Sequence, residues 1–88
     1  MEISFPNLVL PKVTAIGTIS FQTLVDEEYI WCEISFEALR DHFGAPSMEG
    51  NDLLLTFHNC KQEIYQATRD YLKINGGRPL MLMAQNFE

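Results

Sequence analysis

The sequence predicts an α+β fold: a small antiparallel sheet, made of a β-hairpin, a C-terminal strand and an N-terminal edge strand, packed on one long and one short helix. Three observations lead there. Residues 13–23 alternate their side chains with a period of two, and residues 28–34 return as a second strand that divides into two faces. Residues 53–74 repeat apolar side chains at alternating steps of four and three. Residues 79–87 (PLMLMAQNF) follow a Gly-Gly turn and are apolar on both parities.

At the N-terminus, Ile3, Phe5, Leu8, Val9 and Leu10 are interrupted by Pro6 and Pro11. Proline removes a backbone donor and fixes φ, so residues 2–11 suit an extended segment that starts with a short edge strand. Residues 13–23 (VTAIGTISFQT) read as one half-buried strand. Val13, Ala15, Gly17, Ile19 and Phe21 fall on one side, and Thr14, Ile16, Thr18, Ser20 and Gln22 on the other. Asp26, Glu27 and Glu28 mark the turn of a longer-loop hairpin whose return strand is residues 28–34 (EYIWCEI). There Ile30, Cys32 and Ile34 share one face and Tyr29, Trp31 and Glu33 the other.

Ser35 is placed to cap a short helix over residues 36–43, Gly44 to end it in the left-handed conformation, and Pro46 to prevent its continuation. Asn51 or Asp52 is the expected cap of the long helix. Its apolar stripe is Leu53, Phe57, Cys60, Ile64, Ala67, Tyr71 and Ile74, and Asn75-Gly76-Gly77 ends it. Residues 79–87 then form the last strand, with Leu80, Leu82 and Ala84 on one side and Met81 and Met83 on the other.

The 88 residues are the length of one domain, so residues 1–88 are expected to form one unit with a single core. Two cysteines, Cys32 and Cys60, are too few for the disulfide framework of a small secreted scaffold. The first residues lack a basic n-region, and no apolar run reaches membrane-spanning length. The cytoplasm is the expected compartment. The net charge is −6 and the six basic residues are scattered, whereas a nucleic-acid surface needs a concentrated positive stripe. No nucleic-acid or membrane partner is expected.

The pattern WCEIS, then FEALRDHFGA, then LLLTF with a helix carrying Ile64 and Ala67, and a closing strand ending in NF resembles small bacterial proteins grouped as domain of unknown function 1488. The resemblance spans residues 3–87 and implies an α+β fold with no established activity. It supplies no catalytic or ligand residues.

The residues themselves point to no catalytic, metal or cofactor site. His58 and Cys60 lie two apart on a helix, so their side chains diverge by about 200° and cannot chelate one ion. Asp41 and His42 are adjacent and diverge by about 100°, which prevents one from orienting the other. A reactive cysteine needs a cationic neighbour and solvent access, and nothing near Cys32 supplies them. Gly76-Gly77 follows a helix, so it cannot form a helix-start phosphate site. The acidic Asp26-Glu27-Glu28 lacks the alternating ligand spacing of a calcium loop.

The candidate that remains is an interaction face: Ile16, Tyr29, Trp31, Met81 and Met83 are expected to project from the sheet away from the long helix. Apolar patches rich in aromatic residues and methionine are typical of interaction surfaces. The favoured function is therefore a non-enzymatic domain that homodimerises or docks a protein partner. The bland alternative is that the N-terminal segment with Ile3, Phe5, Leu8 and Leu10, or the short helix, folds over this face. A competing function is a small ligand-binding or enzymatic domain with a pocket near His42 and the 45–51 loop, holding His42 or Cys32.

Overall fold

The alternation along residues 19–34 produces the hairpin on which the sheet is built. The structure is a computed structural model that describes residues 1–6 and 8–88; Asn7, inside the expected N-terminal segment, lies outside the described residues. Its elements run β1 (Ile3–Ser4), β2 (Lys12–Val13), β3 (Ile19–Val25), β4 (Glu28–Ile34), α1 (Phe36–Phe43), α2 (Gly50–Asn75), β5 (Met81–Leu82) and a closing 3-10 turn (Ala84–Phe87). The β3–β4 register runs from Val25 opposite Glu28 to Ile19 opposite Ile34.

That register leaves a two-residue turn in place of the expected longer loop. Asp26 (φ 47°) and Glu27 (φ 73°) both take positive φ, as in a type I′ turn, whose twist matches that of the strands it joins. Asp26 is also tied to the N-terminus. Its carboxylate accepts from the Glu2 N–H at 2.7 Å, and its own N–H donates to the Glu2 carbonyl at 2.9 Å. Glu27 has no such compensation among the described residues, and a side chain in this conformation costs about 1–2 kcal/mol. Glu27→Gly is therefore expected to raise stability by about 0.5–1 kcal/mol, net of glycine's greater freedom when unfolded. The denaturant midpoint measures this, and a lower midpoint would mean that the turn is not strained.

The expected continuous strand over residues 13–23 is broken. Val13 belongs to β2 and pairs with Ile19, so the chain reverses between them. The Thr14 N–H donates to the Thr18 carbonyl at 2.9 Å, the Gly17 N–H to the Thr14 carbonyl at 3.1 Å, and the two threonine hydroxyls lie 2.7 Å apart. Gly17 turns at φ 84°. Threonine's local hydrogen bonding and glycine's positive φ thus override the alternation. β1 and β2 lie end to end along one edge of β3, β1 beside Leu24 and Val25 and β2 beside Ser20 and Ile19.

On the far side, β5 pairs with β4 in parallel, so the sheet is mixed and not wholly antiparallel. Between them the chain passes through α1 and α2 and returns to the same end, the connection that parallel pairing requires. The expected strand over residues 79–87 shrinks to Met81–Leu82. Asn86 ends it by accepting the Met83 N–H at 2.6 Å, while Phe87 packs edge-on against Phe43 with ring centroids 5.1 Å apart.

α1 forms as expected: the Ser35 hydroxyl accepts from the Ala38 N–H at 3.1 Å and Gly44 closes it at φ 76°. α2 starts earlier than expected, with Glu49 at the cap position and no side-chain cap bond. The Ser47 hydroxyl instead accepts the Glu49 N–H at 3.1 Å and donates to Asp52 at 2.7 Å, so Asp52 braces the loop instead of capping the helix.

The buried line of α2 is Leu53, Thr56, Phe57, Ile64, Thr68 and Leu72. Ile74, the last residue of the expected stripe, is 79% exposed. Steps of four and three average 3.5 residues and drift backward by about 20° per heptad on a 3.6-residue helix. The contact with the sheet follows Ile64, Thr68 and Leu72, a row of four-residue steps that turns the other way. Thr56 and Thr68 can be buried because their hydroxyls donate to the Asp52 and Ile64 carbonyls at 2.8 and 2.7 Å. This helix covers the inner sheet face of Ile19, Phe21, Val25, Cys32 and Ile34, with Phe21 and Phe57 centroids 5.3 Å apart.

Candidate interaction face

With the inner face filled by α2, strand parity turns the other side chains outward. The outer face carries three rows: Lys12, Ser20, Glu33 and Met81; Gln22 and Trp31; and Ser4, Leu24 and Tyr29. Tyr29 is 51% exposed, Trp31 37%, Met81 37% and Met83 40%. Met83 lies just past β5 in extended backbone, two residues from Met81 and on the same parity. Ile16 is exposed too, but it belongs to the turn between β2 and β3, so strand alternation does not place it on this face.

The N-terminal segment goes to the opposite side. Phe5 stacks on Tyr65 with centroids 4.0 Å apart and 1° between ring planes, and the Arg69 guanidinium lies 5.0 Å from the Phe5 ring. Ile3 pairs with the inward-facing Val25, and Leu8 and Leu10 remain exposed. The described residues of this segment therefore leave the outer face uncovered, apart from Ser4 at its margin.

Two polar residues shape the face: Lys12, which sequence reasoning left out, and Glu33, which alternation had already set beside Tyr29 and Trp31. The Lys12 ammonium sits 5.3 Å from the Trp31 ring centroid, an attraction between the cation and the negative ring face. Glu33 accepts a hydrogen bond from the buried Thr18 hydroxyl and so anchors the preceding turn. Lys12 becomes a neighbour of Trp31 only once the chain reverses at Thr14–Thr18. The Thr-x-x-Gly-Thr string was the available signal for that reversal.

The edge of β4 is also open. The Glu33 N–H donates to the Leu80 carbonyl, so the N–H groups of Tyr29 and Trp31, on the same parity, point toward that edge. β5 reaches only Glu33 and Ile34; among the described residues no strand lies beside Tyr29 and Trp31.

The residues weighed for chemistry are dispersed. Cys32 is sealed in the core, and burial pushes its thiol pKa up. Cys60 is half-buried, and burial followed by the neighbouring Glu63 charge raises its thiol as well. His42 lies on exposed α1 against the Phe87 ring, 5.8 Å between centroids. Asp41 pairs with Arg40 at 2.6 Å, which lowers its carboxyl pKa, and it does not orient His42. Among the described residues, no three of His, Cys, Asp and Glu gather as a metal set. The two described clefts, of about 370 and 160 Å³, are lined by neither His42, Cys32 nor the 45–51 loop.

A mixed five-stranded sheet with one face covered by a long helix and an aromatic and methionine-rich second face defines a small α+β protein. The chain belongs to the family described as Protein of unknown function (DUF1488), which matches residues 3–82. No curated protein and no solved structure matches it. Among the described residues, no helix is long and apolar enough to cross a membrane.

Proposed function

We propose that this protein is a non-enzymatic domain that forms a symmetric homodimer through the outer sheet face and the open edge of β4. The observation that carries the reading is the clustering of exposed Tyr29, Trp31 and Met81 around backbone donors and acceptors that have no strand beside them among the described residues. A free edge is a template for pairing, and natural sheets usually blunt it with charge, proline or a covering segment. Here the two residues at the edge are aromatic.

The proposed dimer pairs this edge in a definite register. With the two-fold axis at Ile30, antiparallel pairing sets Tyr29 opposite the partner's Trp31, and each pair exchanges two N–H···O bonds. Aromatic cross-strand pairs of this kind contribute roughly 0.2–1 kcal/mol each beyond their hydrogen bonds. Met81 and Met83 extend the apolar patch on the same side.

Light scattering during size exclusion is expected to give twice the 10.1 kDa chain mass. Trp31→Glu with Met83→Glu is expected to give a monomer that keeps its far-ultraviolet circular dichroism, since both side chains are outside the core. A wild-type monomer at every concentration, with Trp31 emission independent of concentration, would overturn the reading.

A further inference from the structure

The larger cleft lies on the helical side, between the chain at Leu10–Pro11 and one side of α2, and has a volume of about 370 Å³. That is at the lower end of the roughly 300–1,000 Å³ typical of small-molecule sites. Leu54, Phe57, His58, Lys61 and Tyr65 recur at three- and four-residue steps, which places them on one side of the helix. The sequence did not disclose this surface, because its opposite wall comes from a segment distant in the chain.

Its chemistry is divided. Leu54, the fully packed Phe57 and the Tyr65 ring make an apolar floor, and Leu10, 81% exposed, stands over it. His58 and Lys61 supply the polar rim, and no carboxylate lines the cleft. In a chain of net charge −6 such a cleft is electrostatically distinct from the rest of the surface. Lys61 is uncommitted: the ion pair found among the described residues is Arg40–Asp41. Tyr65 is held in place by its stack on Phe5, and burial raises its pKa.

We propose that this cleft binds a small amphipathic carboxylate, its hydrocarbon body between Leu10 and Phe57 and its carboxylate on the Lys61 ammonium. Charge complementarity selects the anion, and the apolar floor under an exposed Leu10 selects the hydrocarbon. A neutral alcohol of the same length fills the floor but forfeits the charged hydrogen bond.

Octanoate titrated into the full ¹⁵N-labelled chain tests this directly, with 1-octanol as the uncharged comparison. Saturable amide shifts are expected at Leu10, at Lys12 and at residues 54–65, leaving the Trp31 indole signal in place. Octanol is expected to bind about tenfold more weakly, as is octanoate to Lys61→Glu, the loss of one hydrogen bond to a charged group. Lys61→Met, which keeps the aliphatic stem, repeats the comparison should Lys61→Glu melt early. Linear shifts without saturation, shifts centred on the sheet face, or equal affinity for a folded Lys61 variant would each overturn the proposal.

Discussion

Phe21→Ala is expected to remove about 3–5 kcal/mol of stability. Phe21 is 1% exposed and packs at once on Phe57, Tyr65 and Phe5, with centroid separations of 5.3, 5.9 and 6.4 Å. The strand, the long helix and the N-terminal segment therefore meet on one ring. A chain of this length has roughly 4–13 kcal/mol in total, so the variant is expected to be largely unfolded at the lower end of that range. Urea denaturation should show the midpoint falling with little change in slope. A loss below about 1 kcal/mol would mean that the three elements do not depend on this contact.

A matched pair of substitutions near the end of α2 should differ almost as much. Leu72→Ala is expected to cost about 2–5 kcal/mol, because its side chain is fully buried. Ile74→Ala, two residues on and equally apolar in the sequence, is expected to stay within about 0.5 kcal/mol of the parent. The contrast isolates helix rotation, since both residues are branched hydrocarbons in the last turn. Equal losses would place the buried line on the sequence's own heptad stripe.

That stripe shows what the sequence could and could not disclose. Leu53, Phe57 and Ile64 were recognisable because near the start of the helix the 3.5-residue pattern and the contact line coincide. Leu72 was missed, and Ile74 taken in its place, because the crossing of helix over sheet depends on a partner surface that periodicity along one chain does not contain. Threonine hid its burial in the same way: Thr56 and Thr68 enter the core only by donating back to the helix.

Local chemistry was more transparent where one residue settles one backbone angle. Ser35 and Gly44 bracket α1 where their capping preferences place them. The hairpin parity of β4 likewise follows from alternation, and with it the exposure of Tyr29 and Trp31 and the burial of Cys32. The break between β2 and β3 was obscured because VTAIGTIS alternates through a turn as regularly as a strand does. The parallel direction of β5 depends on how two helices carry the chain, which no local pattern encodes. The cleft at Lys61 joins residues about fifty apart in sequence, a separation set only by the fold.

The strand register also has a mechanical meaning. Among the described residues, four strands cross the sheet at Ser20 and Glu33, three at Leu24 and Tyr29, but only two at Gln22 and Trp31. Two-stranded ribbons twist more strongly than wider sheets, so deformation concentrates at this waist. Trp31 stands on the waist, where bending one half of the sheet against the other moves its indole relative to Lys12. The same side chain that offers contact area is thus the natural gauge of how far the sheet flexes.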